Sequence, residues 1–252
     1  MPLKSIAQQL FHAFGYHLSS YRRDRCGIDP LQDMTRFVPD GSDRTIFDVG
    51  ANRGQFLDQL RLRFPKARIH SFEPSPATFQ ALSAKVAGMT NVSTWNLALG
   101  ANAGKSMLLE NVSSDMSSML QLGSQGWGRI EKQTEIDIQS VDDFCQEHSI
   151  SRVDILKSDT QGYDLEVFKG AERMMRENRI GLVYSEITFD EIYKNLPPFD
   201  EILRFLRERD FVLAAFYKME FRRPIVGWTD ALFVNRQLLN RTLGPQRPSN
   251  GI

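Results

Sequence analysis

The sequence predicts an α/β fold, a mostly parallel sheet with helices on both faces, from three observations. Apolar strand-like runs alternate with helical spacings from Thr45 onward. A glycine-bearing turn, Gly50-Ala-Asn-Arg-Gly54, joins the first run to the first of these helices. Two late runs are separated by a loop and no helix, which adds one antiparallel insertion near an edge.

The elements follow in order. Leu3, Ile6, Leu10, Phe11 and Phe14 recur at helical spacing and open the chain with an amphipathic helix ending near Gly15. Residues 45–49 read as a buried strand, and Phe56, Leu60 and Phe64 as a helix stopped by Pro65. Residues 67–72 form a strand ended by Glu73-Pro74, residues 76–86 a helix and residues 92–99 a strand. Residues 105–110 and 134–138 read as a strand pair around a polar loop, 111–128. A short helix is expected at 141–147, a strand at 153–157 and a helix at 165–176. Strands at 182–187, 211–217 and 231–234, with a helix at 200–209, complete the pattern. This divides the chain into an N-terminal helical extension (1–40), a main domain (41–236) and a disordered tail (237–252).

Composition narrows the function classes. The 31 Lys and Arg balance 31 Asp and Glu, which argues against a nucleic-acid partner bound through surplus positive charge. At 252 residues the core needs no disulfide or metal staple. Cys26 and Cys145 lie far apart with no CxxC or zinc spacing, so two reduced thiols and a cytoplasmic protein are expected. No apolar run approaches a membrane span, and the N-terminus lacks a small-residue cleavage site. The sequons at Asn91, Asn111 and Asn240 read as chance matches.

In such sheets ligands bind beyond the carboxyl ends of the strands. Two crevices follow. The first holds Asp48, Gly50, Asn52 and Gly54, with Glu73 ending the next strand. Glycines let the backbone approach a ligand, and a carboxylate there can accept from both ribose hydroxyls of a nucleotide. A dinucleotide turn prefers GxGxxG, but Asn52 and Gln55 stand where glycines would. Asp48 and Asn52 suit a zwitterionic amino-acid tail, which favours S-adenosyl-L-methionine over NAD. The second crevice holds Asp159 and Gln161, with Glu186 and Asp230 at neighbouring strand ends. Three carboxylates can serve as base, as orienting acceptors or as ligands of a hard cation. Each alone also fits a solvated strand-end cap.

Asp48-Val-Gly-Ala-Asn-Arg-Gly-Gln55, Ser71-Phe-Glu-Pro74, Asn96-Leu-Ala-Leu-Gly100, Asp154-Ile-Leu-Lys-Ser-Asp-Thr-Gln-Gly162, Leu165-Glu-Val-Phe-Lys-Gly-Ala171 and Asp230-Ala-Leu-Phe233 occur in one order. Together they resemble the FkbM-type methyltransferase family over residues 46–234. The resemblance implies a Rossmann-like, seven-stranded class I methyltransferase sheet. It also implies O-methylation of a hydroxyl on a sugar, glycolipid, polysaccharide or natural product. By the same resemblance Asp48, Gly50, Asn52 and Gly54 would cradle the methionine part of the donor and Glu73 the ribose. Ser71, Phe72, Asn96, Leu97 and Ala98 would border the adenosine, and Asp159 and Gln161 the transferred methyl. The serine-rich stretch 113–120 would face donor or acceptor. Two departures stand out: Ser158 replaces an apolar strand residue, and Gln161 replaces a commoner Glu.

For the base, the expected order is Asp159, Glu186, then Asp230, with His70 as a rival that reads better as a structural strand residue. A metal-free site is expected, although Asp159, Glu186 and Asp230 leave a divalent cation open. Tyr163 and Tyr193 are candidates to shape the acceptor pocket, and Trp127 in the 111–128 loop to stack on a sugar ring. The run Arg22, Arg23, Asp24 and Arg25 reads as solvated surface, or else as a contact for an anionic lipid or pyrophosphate-linked sugar. The competing functions are an inactive binding module, an NAD-dependent oxidoreductase and a nucleic-acid methyltransferase. The acceptor and oligomeric state stay open, a homo-oligomer included.

Overall fold

The computed structural model describes residues 11, 13, 14, 25–222 and 224–244. Most of the expected N-terminal helix, together with Arg22, Arg23, Asp24 and the chain beyond Gly244, lies outside the described residues. The first full helix is α1 (Pro30–Phe37). Asp29 caps it by accepting from the Gln32 amide, and Pro30 sits where a helix needs no N–H.

A strand–helix alternation then builds the main sheet: β1 (Thr45–Val49), α2 (Gln55–Arg63), β2 (Arg68–Phe72), α3 (Pro76–Val86) and β3 (Val92–Trp95). The chain next leaves for a small side sheet of β4 (Ala98–Leu99), β5 (Gly104–Asn111) and β6 (Ile130–Gln139), ordered β4-β6-β5. It returns through α4 (Val141–Glu147), β7 (Val153–Ser158), α5 (Asp164–Lys169), α6 (Glu172–Arg176), β8 (Ile180–Thr188) and α7 (Phe199–Arg207). The last elements are β9 (Phe211–Phe216), β10 (Glu220–Arg222), β11 (Ile225–Asn235) and α8 (Arg236–Leu243).

The main sheet runs β3-β2-β1-β7-β8-β11, parallel up to β8, with β11 antiparallel to it. Both β9 and β10 pair with β11, β9 along Ala231–Asn235 and β10 along Ile225–Trp228. They share the edge, so eight strands fill seven positions. The sheet is of the Rossmann-like class I kind, with the expected single antiparallel strand.

Alternate strand residues feed two cores, because successive side chains point to opposite faces. Phe47, Leu156, Val183 and Phe233 pack with Phe144 of α4 and Phe168 of α5. Ile46, Ile155, Leu182 and Leu232 pack under Met34 of α1, Leu57 of α2 and Leu82 of α3. Helices on both faces explain why β1 and β7 are buried at every position. The second face carries an exception: Ser71, Asp48, Lys157 and Tyr184 stand side by side across β2, β1, β7 and β8.

Several expected boundaries move. The 92–99 run splits at Asn96, whose amide donates to Glu73 O and Pro74 O and turns the chain toward the side sheet. The 165–176 helix breaks at Gly170, packed so tightly that a Cβ there would lie 2.0 Å from Gly100 O. The last strand starts at Ile225 rather than residue 231 and pairs with the unforeseen β10, whose short alternating run carried no apolar signal. The tail expected from residue 237 is instead helical to Leu243, because the Asn235 side chain accepts from Gln237 N and Leu238 N. Among the described residues no helix is long and apolar enough to cross a membrane.

Phe144 is the ring on which the first core closes, edge-on to Phe47, Phe72 and Trp95 at centroid distances of 5.6, 4.8 and 4.9 Å. Phe144→Ala is expected to destabilise the protein by about 3–5 kcal/mol, read as a lowered Tm and denaturant midpoint.

Candidate functional site

The turn after β1 is held against its neighbours by backbone contacts. Gly50 N and Ala51 N both donate to Phe72 O, at 3.1 and 2.9 Å. Asn52 adopts a left-handed φ of 48° and its amide donates to Glu73 Oε2 at 2.9 Å. Gly50, at φ 70°, passes so close to the turn after β7 that a Cβ would stand 1.9 Å from Asp159 O. Only glycine satisfies both demands. Gly54, also left-handed, caps α2, and its carbonyl accepts from Lys85 Nζ at 2.7 Å.

Glu73 leaves the end of β2 beneath this turn and is 7% exposed. Its second oxygen accepts from Ser75 N at 2.9 Å. Burial pushes its carboxyl up to about 7, against the opposing pull of the Ser75 and Asn52 amides and of Lys157.

The turn after β7 forms the facing wall. Asp164, at the start of α5, accepts from Ser158 Oγ at 2.5 Å and Thr160 N at 3.1 Å. Gln161, left-handed at φ 55°, donates from Nε2 to Asp159 Oδ1 at 2.8 Å and accepts from the Tyr193 hydroxyl at 2.8 Å. The serine-rich stretch bridges the two walls: Ser114 Oγ donates to Asn52 Oδ1 at 3.1 Å, and Ser118 Oγ to Gln161 O at 2.8 Å.

Together these segments enclose a cavity of about 260 Å³. Of the residues singled out from sequence, Gly50, Asn52, Phe72, Glu73, Ala98, Asp159 and Gln161 line it. Ser114, Ser117 and Ser118 do so as well, and Leu97, Leu99, Leu108 and Met119 add an apolar strip. Asp48, Gly54, Ser71 and Asn96 do not line it. Asp48 and Ser71 are fully buried in the sheet, Gly54 ends the turn after β1, and Asn96 ties the chain after β3 to Glu73 O and Pro74 O. Glu186 and Asp230 are direct partners across β8 and β11, beside the cavity rather than lining it. Burial first, and then Asp159, Asp164 and Asp230, hold the Glu186 carboxyl well above the usual carboxylate range. Burial also raises Asp230, which accepts a hydrogen bond from Tyr184, and Asp159 raises it further.

The remaining candidates separate. His70 lies away from the cavity and accepts from Trp95 Nε1 at 3.3 Å. Burial first, then His148 and Arg68, push it down to about 4. Tyr163 borders a different cleft with Leu196 and Glu166. Trp127 lies 5.8 Å from Trp228, outside the cavity, with the Arg222 guanidinium 4.9 Å from its ring. Among the described residues no three His, Cys, Asp or Glu side chains are grouped to hold a metal ion.

Two residues of the site escaped the sequence reading. Lys157 sits inside a buried strand, 4% exposed, with Nζ 3.0 Å from Asp48 Oδ1. Its burial alone would lower its pKa, but Asp48, Asp159 and Asp164 outweigh that and keep the ammonium charged. The signal was a lone lysine in the run Val153-Asp-Ile-Leu-Lys157. Asp164 lies just before the helix expected at 165–176 and was not singled out.

Gly50→Ala is expected to destabilise the protein by about 2 kcal/mol or more, since the Asp159 carbonyl must retreat as the backbone is strained. Gly88 has a similar left-handed φ of 85° and open space around it. Gly88→Ala is therefore the control, and the smaller shift of its denaturation midpoint separates strain from clash.

Comparison with known proteins identifies a family. The family described as "Methyltransferase FkbM domain" matches residues 48–213. The 2-O-methyltransferase NoeI of Sinorhizobium fredii is 23% identical over 207 residues, covering 78% of this chain and 81% of NoeI. Methyltransferase 1 of Beauveria bassiana is 26% identical over 164 residues, covering 58% of this chain and 64% of that protein. A solved rRNA methylase of Streptococcus thermophilus aligns with 81% of this chain and 92% of its own, at a TM-score of 0.45 and 11% identity. With the family match running from the end of β1 to β9, the chain belongs to the FkbM methyltransferase family.

Proposed function

We propose that the protein uses S-adenosyl-L-methionine to methylate a hydroxyl of a sugar, glycolipid, polysaccharide or natural-product acceptor. One observation carries this reading: the Gly50–Asn52 turn, Glu73 and the Asp159–Gln161 turn converge on a single cavity. The cavity suits the donor's parts. Glu73 offers a carboxylate for ribose hydroxyls, the Leu97–Leu99 side an apolar wall for a purine, and Asn52, Asp159 and Gln161 polar groups for a charged tail. The 2-O-methyltransferase NoeI, at 23% identity, supports an oxygen as the acceptor atom.

When bound, the donor supplies an activated methyl group on a sulfonium. The chain's own task is alignment and removal of one proton. Asp159 is the first choice as base, because it lines the cavity and the Gln161 amide fixes one of its oxygens. Glu186, whose carboxyl is raised well above the usual carboxylate range by burial and then by Asp159, Asp164 and Asp230, stands beside the cavity and is a weaker choice. Asp230, raised by burial and hydrogen-bonded to Tyr184, is the second choice.

Calorimetry with S-adenosylhomocysteine tests the donor reading. Ribose hydroxyls favour ionised Glu73, which is largely protonated below its raised pKa of about 7. Affinity should therefore rise roughly tenfold from pH 6 to pH 8. Glu73→Gln should bind more weakly and lose that rise, and a wild-type protein that is folded but silent would end the reading. Asp159→Asn should lower turnover by about 10²-fold or more, with donor affinity within several-fold. An unchanged kcat would move the role to Asp230.

A further inference from the structure

The ammonium of Lys157 sits where no strand needs a charge. It lies 3.0 Å from Asp48 Oδ1, 3.1 Å from Val49 O and 3.0 Å from Gly50 O. The two carbonyls take two of the three N–H donors of the lysine. The Phe56 ring of α2 closes the site from the helix side, 5.7 Å from Nζ. The contact with Asp48 is Coulombic, since neither Asp48 oxygen has a partner with hydrogen-bond geometry.

The Gly50 carbonyl explains the arrangement. Asp159 N donates to Val49 O, continuing the sheet ladder, but no backbone N–H among the described residues donates to Gly50 O. The left-handed φ of Gly50 turns that carbonyl out of the ladder and inward. A half-buried carbonyl turned from both the ladder and solvent needs a partner, and Lys157 Nζ is the one supplied. The same turn aims Asn52 N at Glu73, so a lysine on β7 and a carboxylate on β2 hold it from two sides.

We infer that Lys157 is a positioning residue for donor binding: it braces the turn after β1 by holding the Gly50 carbonyl inward, beyond its role as counter-ion to Asp48. This rests on the donor reading above. The charged groups around the ammonium are Asp48 on β1, Glu73 after β2, Asp159 and Asp164 after β7, Glu186 on β8 and Asp230 on β11.

The double variant Asp48→Asn/Lys157→Met separates counter-ion from brace. It removes both charges, avoids a stranded buried carboxylate and keeps the stem volume. Two quantities are read in the full-length protein: the Kd for S-adenosylhomocysteine and the amide hydrogen exchange of Ala51, Asn52 and Gly54. The expected result is a folded protein whose Kd is at least tenfold weaker and whose turn amides exchange at least tenfold faster. A folded double variant matching wild type in both would overturn the inference. So would failure to fold, which would assign the pair to the sheet core. If wild type itself fails to bind, the donor reading falls, while the exchange comparison still decides whether Lys157 braces the turn.

Discussion

A carboxylate and an ammonium meet between the two central strands, and the site is arranged around them. Asp48 of β1 and Lys157 of β7 are register partners on the same face, both almost without solvent. Removing two charges from water costs roughly several kcal/mol per ion, and Coulomb attraction offsets this only in good geometry. Apolar side chains in the same places would pack at least as well. The pair therefore contributes more to placement than to stability. It puts a cation under the turn after β1, where that turn presents a carbonyl.

The two turns over the pair depend on each other. Gly50 has no Cβ because the Asp159 carbonyl fills that space, and Gln161 and Asn52 share the left-handed conformation. Asn52, Glu73 and Ser114 then link the first turn to β2 and to the side-sheet loop, while Ser118 and Tyr193 link Gln161 to the same loop and to the chain after β8. The cavity is thus a shared boundary of several chain segments with few independent parts. Such cross-linked positioning suits alignment of two reactants, where small displacements cost rate.

The acidic belt beside the cavity has a graded character. Glu73, Asp164, Glu186 and Asp230 are all raised by burial, and the cluster surrounds a single buried ammonium. More carboxylates than cations in a dry space means that not all ionise together. With Glu73 pushed up to about 7, the cluster can therefore offer a hydrogen-bond donor as well as acceptors near neutral pH. A lone carboxylate in water could not.

The order of strands and helices, the two turns that line the cavity and Glu73 were legible from the sequence, because each is a local pattern of period, glycine and strand-end acid. The split at Asn96, the break at Gly170 and the extension of β11 were not. They come from contacts with Glu73, Gly100 and β8, which are remote in the chain. The sequence alone could name Asp48 and Ser71 as ligand contacts but could not see that period-two alternation turns them into the sheet. Nor could it tell that Glu186 and Asp230 stand opposite each other, since antiparallel pairing between β8 and β11 decides it. By itself the sequence determined the fold class, the family resemblance and which turns line the cavity, because these rest on local periodicity and residue chemistry. Only the tertiary structure decided which carboxylates face the cavity and that Lys157 supports it, because burial and pairing are properties of strands brought together.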